Sequence, residues 1–106
     1  VRTGTNLGTA LGYFNDLRTR AYGNSSNLAA SLNLQLILDE RMRELHYEGH
    51  RRQDLVRFGK FAGSTYIWPF KGGVKEGMST DGHLDLYPLP ASDVLANPNL
   101  RQNDGY

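Results

Sequence analysis

Two histidines four positions apart form the candidate metal site of this sequence. His46 and His50 flank Glu48 in the run His-Tyr-Glu-Gly-His, and side chains at i and i+4 share one face of a helix. The zinc-protease pattern needs glutamate directly after the first histidine, where this chain has Tyr47, and Gly49 disfavours a regular helix. We therefore favour surface or hydrogen-bonded histidines and predict no metal site.

Glutamates spaced one helical turn apart are the candidates for acid–base catalysis. Glu40, Glu44 and Glu48 would line one face of a helix, and a pair of carboxylates is what glycoside hydrolysis requires. Arginines surround them, and nearby cations lower a carboxyl pKa where a general acid needs it raised. The sequence also lacks serine-nucleophile motifs, a Walker loop and a dinucleotide fingerprint. We predict a protein that is not an enzyme and uses no cofactor, with a carboxylate hydrolase kept as a contrasting hypothesis.

Alternating aromatic residues form the candidate binding site. Tyr66, Trp68 and Phe70 lie in a glycine-rich region, and an aromatic ring offers an apolar face to a pyranose. Aromatic residues beside proline in such a loop more often anchor the loop to the core. Loop anchoring is the favoured interpretation, and Tyr66 and Trp68 are the candidate ligand-binding residues.

Charged residues are concentrated between positions 39 and 60. On a helical wheel Arg41 and Glu48 fall inside the apolar arc, with Glu44 at its edge, where unpaired charges are costly. We interpret them as a partly buried ion-pair network joining two helices, with Arg51, Arg52 or Arg57 meeting Glu48; a solvated charged face is the alternative. The predicted structural network comprises Arg41, Glu44, Glu48, Arg51, Asp54 and Arg57.

Apolar periodicity predicts three helices in the first sixty residues. The first covers about 10–22 and is stopped by the turn residues that follow. The second covers 33–48, with Asn33 as its N-cap. The third is short and ends at Gly59.

Residues 61–106 are predicted to be loop-rich because glycine and all 4 prolines punctuate them. The alternation over 83–87 is typical of a short strand, and Ser92 is predicted to cap one helical turn over 93–96. We therefore predict a mainly α fold with a helical part, 1–60, and a loop-rich part, 61–106.

Composition excludes several classes of protein. The net charge of +1 disfavours binding driven by nucleic-acid phosphates, and no apolar run approaches the length of a membrane span. With 0 cysteines, disulfides, thiol catalysis and cysteine-based zinc sites are excluded. The length of 106 residues suits one domain or part of one, and the start at Val1 indicates either a piece of a longer protein or a chain that follows a removed leader.

Residues 40–59 resemble the signature of the SusD/RagB family. The family pattern E-R-x-x-E-L-x-x-E-G-x-R-x-x-D-L-x-R-x-G is matched at every fixed position from Glu40 to Gly59. The helix around Asn15, the Tyr-Pro-Leu-Pro run and the chain end also resemble that family. Gln53 replaces a usual aromatic residue and Asp104 a common proline, and both are interpreted as packing or turn variants.

The resemblance implies a non-catalytic, nutrient-binding lipoprotein of the outer membrane in Bacteroidetes-type bacteria. Such proteins hold glycans, or sometimes peptides, for a SusC-like TonB-dependent transporter. The implied fold has tetratricopeptide-like helical pairs, with this chain as its C-terminal segment and the lipid anchor outside it. The signature residues would then be structural. An independent helical protein-interaction module without sugar binding is the alternative.

A C-terminal segment without its scaffold would leave apolar side chains bare. We expect incomplete cover of Leu11, Phe14, Leu34 and Leu38, and exposed apolar patches tend to find partners. The isolated chain is therefore expected to self-associate.

Overall fold

The computed structural model describes residues 4–106. All regular secondary structure within this range is helical. No strand forms there, although Gly63 and Thr80 make an isolated antiparallel bridge. The chain forms two compact units, the first ending at Gly49 and the second beginning at His50. The predicted mainly α class is confirmed. The helices are α1 (Leu7–Tyr22), α2 (Leu34–Glu44), α3 (Arg51–Arg57) and α4 (Ala91–Ala96), with 3-10 turns at Lys71–Gly73 and Gly82–Asp85.

Helix α1 begins at Leu7, earlier than the predicted start at residue 10, and ends at Tyr22. Gly23 follows it with φ 67°, a left-handed conformation that glycine adopts without a steric penalty. The predicted stop is therefore confirmed. None of the helices in the described part of the chain is long and apolar enough to cross a membrane.

Helix α2 has the predicted N-cap but ends earlier than predicted. The backbone N–H of Leu36 donates a hydrogen bond of 2.7 Å to the side chain of Asn33. The helix ends at Glu44, since Leu45 leaves helical geometry with φ −105° and ψ 31°, and Tyr47 and Gly49 beyond it adopt left-handed φ values of 66° and 76°. The predicted extension to residue 48 is wrong, and Glu48 lies in an exposed turn.

The first unit has a small apolar core of its own. Phe14 is 7% exposed and Leu38 is fully buried, so the expectation that these two stay incompletely covered is wrong. The described chain covers them by itself. Leu11 is half-buried and Leu34 exposed, as expected. Side chains of α1, of α2 and of the residue after α2 line a cavity of 190 Å³: Phe14, Leu17, Ile37, Glu40, Arg41, Glu44 and Leu45.

In the second unit, the predicted strand over 83–87 is wrong. Asp81 accepts a hydrogen bond from the backbone N–H of His83 and starts a 3-10 turn instead. The side chain of Arg52 donates to the carbonyl of Leu84 at 2.8 Å and also reaches the next two carbonyls. A neighbouring strand would need those carbonyls as hydrogen-bond acceptors. The Arg52 side chain therefore takes the place of the hydrogen bonds of a β-ladder.

Backbone groups, rather than the predicted Ser92 side chain, begin helix α4. Its N-cap is Pro90, whose carbonyl accepts from the backbone N–H groups of Asp93 and Val94. The Ser92 hydroxyl instead donates to the carboxylate of Asp93 at 3.2 Å. The predicted Ser92 cap is therefore wrong, although a helical turn does form there.

The last residues of the chain are held to an extended stretch by side-chain amides. Gln102 makes two hydrogen bonds with the backbone of Leu89, donating at 2.9 Å and accepting at 2.8 Å. Asn103 donates to the carbonyl of Tyr87 at 2.7 Å. These amides satisfy backbone groups that have no strand partner.

Candidate functional site

The candidate aromatic residues lie on a loop that we call the aromatic loop, residues 61–80. The backbone N–H of Gly63 donates to the carbonyl of Thr80 at 2.9 Å and closes its base. Inside it, Lys71 donates its backbone N–H to Trp68 and accepts from Met78, each at 3.0 Å. The loop is thus ordered by its own backbone hydrogen bonds.

A buried lysine fills the centre of the aromatic loop. Lys71 is 2% exposed, and its ammonium group donates to the carbonyls of Gly63 and Tyr66, both at 2.7 Å. The same ammonium lies 4.7 Å from the centroid of the Trp68 ring. Carbonyl acceptors and a ring face compensate for the water that the cation has lost.

Tyr66 is half-buried between two cations. Its hydroxyl accepts a hydrogen bond of 3.1 Å from the guanidinium of Arg51. The ammonium of Lys60 lies 5.4 Å from the centroid of its ring. The ring is therefore engaged by groups of its own unit.

Trp68 is also half-buried, within a cluster of tilted rings. Its ring centroid lies 6.0 Å from that of Phe61 and 6.0 Å from that of Tyr66. The structure thus brings the two predicted ligand-binding residues, Tyr66 and Trp68, together on one loop. Each of the two residues is partly exposed.

Gly77 allows the returning side of the aromatic loop to approach its outgoing side. It has φ 77°, and a Cβ at this position would collide with the carbonyl oxygen of Trp68 and with the Ile67 side chain. Only glycine meets both requirements without strain. The glycine content that predicted a loop therefore also fixes its close packing.

Glu40 of α2 forms ion pairs both within its own helix, with Arg43, and with Arg18 of α1. This carboxylate is 6% exposed and lies 2.6 Å from the guanidinium of Arg43 and 3.8 Å from that of Arg18. Its hydrogen bond raises the pKa of Arg43. Arg20 forms a second bridge, to Glu44. The sequence did not predict the ion pairs of Arg18 and Arg20, because no local spacing links these residues to their partners in α2.

The residues of the predicted network are placed as follows. Arg41 and Glu44 are half-buried on α2, whereas Glu48 is exposed beyond its end. On α3, Asp54 is buried and Arg57 exposed. Arg41, Arg51, Asp54 and Arg57 all have interaction partners. A network linking α2 with α3 stays a prediction.

Arg52 is a further organising residue of the second unit. Its guanidinium carbon lies 3.7 Å from the centroid of the Tyr87 ring and 4.7 Å from that of Phe61. Together with its carbonyl contacts, this stacking ties α3 to the start of the aromatic loop and to the chain before Pro88. Long-range stacking of this kind leaves no local signal in a sequence.

His46 and His50 are exposed, and the His46 ring lies 4.3 Å from that of Tyr47. Across residues 4–106 no group of 3 or more metal-binding side chains comes together. The histidine spacing was the one metal-like pattern in the sequence.

The signature over residues 40–59 and the helical fold define a family. The model of the SusD family matches residues 2–106, and the chain belongs to this family. The chain is also similar to the starch-binding protein SusD of Bacteroides thetaiotaomicron. The two are 43% identical over 99 residues, which is 93% of this chain and 18% of the relative. The chain therefore spans less than a fifth of that relative's length.

Proposed function

We propose that this chain is part of a non-catalytic protein that binds glycans for nutrient uptake. The observation that carries the proposal is the 43% identity to a starch-binding protein over 93% of the chain. The family match over residues 2–106 supports it.

Within the chain, Tyr66 and Trp68 are the proposed ligand contacts. They share the ordered aromatic loop, so a sugar that binds them would have little chain to immobilise. Arg51 beside Tyr66 is a hydrogen-bond donor that could also serve ring hydroxyls.

The proposal assigns a structural role, and no catalysis, to the charged signature. The ion pairs of Glu40 and Glu44 hold α1 against α2, and an acid catalyst would instead need a carboxyl group free to transfer its proton to a substrate. We extend this structural role to the predicted network of α2 and α3.

We further propose that the protein works at the surface of the outer membrane, beside a SusC-like TonB-dependent transporter. Membership of the SusD family supports this location and partner. Pull-down of a tagged protein from its native membranes should recover a TonB-dependent transporter, and its absence would remove the partner from the proposal.

A protein-interaction module, or self-association of the isolated chain, is the second candidate. It is favoured by apolar side chains of the first unit that stay exposed, such as Leu7, Tyr13 and Leu34. Light scattering of the 106-residue chain should then show a species larger than a monomer. A monomer with a cooperative thermal transition would contradict self-association of the chain.

Isothermal titration of the whole natural protein tests glycan binding. Maltoheptaose and soluble starch are the first probes because the relative binds starch, and a panel of other polysaccharides follows. Measurable binding without release of reducing sugar is expected. Release of reducing sugar would establish an enzyme, and no binding to any glycan would overturn the proposal.

The Tyr66→Ala and Trp68→Ala variants test the proposed contacts. Each should weaken the binding of the glycan that the wild type binds. Tyr13→Ala is the matched control, since Tyr13 is an exposed aromatic residue of the first unit. Equal affinity in all three variants would show that Tyr66 and Trp68 are loop anchors.

A further inference from the structure

Phe70 is the most open ring of the aromatic loop. Its side chain is 69% exposed, whereas Phe61, Tyr66 and Trp68 are each half-buried. Within the described residues, the Phe70 ring makes no contact with another ring or a cation, so both of its faces are free of such groups. Because the ring buries little apolar surface in its own chain, it contributes little to the stability of the fold.

The backbone at Phe70 is strained. It adopts φ 67° and ψ 7°, the left-handed region that is unfavourable for a residue with a bulky side chain. Gly72 and Gly77 in the same loop adopt similar φ values at no such cost. A glycine would suit position 70 better on local grounds. Strain that is kept for an exposed apolar ring points to a function for that ring.

The aromatic loop holds Phe70 in place on both sides. The backbone N–H of Phe70 donates to the carbonyl of Lys75 at 3.3 Å, and its carbonyl accepts from Gly73 at 3.0 Å. The next residue, Lys71, is the buried lysine anchored by two carbonyls. The backbone that carries the ring is thus already ordered, so ligand binding would cost little conformational entropy in this loop.

We propose that Phe70 is a ligand-contacting residue whose ring stacks on the apolar face of a sugar. The inference rests on the proposed glycan binding and adds Phe70, a member of the aromatic run, to the two predicted contacts Tyr66 and Trp68. Tyr66 and Trp68 already face cations, so the open ring of the loop is Phe70. The exposed side chains of Lys75 and Glu76 supply polar groups on the same loop for sugar hydroxyls.

Two substitutions at Phe70 test the inference in the whole natural protein. Phe70→Ala removes the ring, and Phe70→Gly removes both the ring and the backbone strain. Both should weaken binding of maltoheptaose, or of whichever panel glycan the wild type binds, by roughly tenfold, which corresponds to one lost ring contact. Tyr13→Ala, which removes an equally exposed ring (69%) from α1, should leave the affinity unchanged.

Thermal stability separates a binding role from a structural one. Phe70→Gly should melt at the wild-type temperature or above it, because glycine adopts this φ without strain. A ring that anchors the loop would instead give a lower melting temperature in both variants. Lower stability with wild-type affinity would overturn the inference.

Hydrogen exchange with mass spectrometry localises the contact. Glycan should slow amide exchange in residues 67–78 of the wild type, and this protection should be weaker in Phe70→Ala at the same subsaturating glycan concentration. Glycan binding with protection elsewhere and none in 67–78 would overturn this inference and leave the proposed function standing. A wild-type protein that binds no glycan would overturn both.

Discussion

The side chain of Asn15 in α1 is joined to the backbone of Ala29 by two hydrogen bonds. Its amide nitrogen donates to the Ala29 carbonyl at 3.0 Å, and its oxygen accepts from the Ala29 N–H at 2.8 Å. The pairing spans 14 residues and fastens the connection before α2 to the preceding helix. Asparagine is suited to this task because one side chain carries both a donor and an acceptor.

Replacing Asn15 with alanine should lower the free energy of unfolding by about 1–3 kcal/mol, because two part-buried backbone groups lose their partners. Urea denaturation measures the change. Asp16→Ala, at the exposed neighbouring position, is the control and should stay within about 0.5 kcal/mol of the wild type. Equal effects of the two variants would show that the connection is held by other contacts.

Replacing Glu40 with alanine should cost about 3 kcal/mol, because the largely buried Arg18 is left without its carboxylate. Glu48→Ala is the matched control, also a signature glutamate but exposed, and should cost less than about 1 kcal/mol. Both are measured by urea denaturation. A larger loss for Glu48→Ala would indicate that the predicted network is the main support.

Replacing Lys71 with methionine should loosen the aromatic loop. Methionine is similar in length to lysine but leaves the carbonyls of Gly63 and Tyr66 without their hydrogen-bond donor. The free energy of unfolding should therefore fall by about 2 kcal/mol. Trp68 is the 1 tryptophan of the chain, so its fluorescence in the isolated chain should shift to longer wavelength as water enters. Lys75→Met, at an exposed position, should change neither stability nor fluorescence.

Asp81 should titrate below its ordinary value. The backbone hydrogen bond from His83 is the main cause that lowers the pKa of Asp81, and the hydrogen bond from the His83 side chain adds to it. The ionised carboxylate therefore favours the folded state: its contribution is present above pH 3.8 and lost as pH falls through the lowered pKa.

Carbon-detected NMR titration measures this pKa directly. In His83→Ala the pKa of Asp81 should rise only part of the way towards 3.8, because the backbone N–H remains. A value at or above 3.8 in the wild type would contradict the prediction.

Helix boundaries set by local chemistry were predictable from the sequence. Asn33 caps α2 through a backbone group three residues away, and Gly23 and Gly59 stop helices through their own φ values. The end of α2 was not predictable in this way. The apolar periodicity favoured a longer helix, because the residue type of Tyr47 disfavours the left-handed conformation that it adopts.

Features that depend on distant side chains could not be predicted. The strand expected over 83–87 is replaced because Arg52, more than 30 residues earlier, binds the carbonyls it would have used. The aromatic residues are visible in the sequence, but which faces of Tyr66 and Trp68 are covered depends on where Arg51 and Lys71 lie in the fold. The sequence placed Phe70 in the aromatic run, but only the folded loop shows that its ring is the most exposed of that run.

The contrast between the buried Lys71 and the exposed Lys75 determines how the protein should be immobilised for binding measurements. Amine-coupling reagents react with accessible lysines, so within this chain Lys75 would react and Lys71 would be shielded. Because Lys75 lies on the loop that carries Phe70, a sensor chip coupled through it would hide that ring. Capture through an engineered tag would keep the loop open, and the two formats should report different glycan affinities.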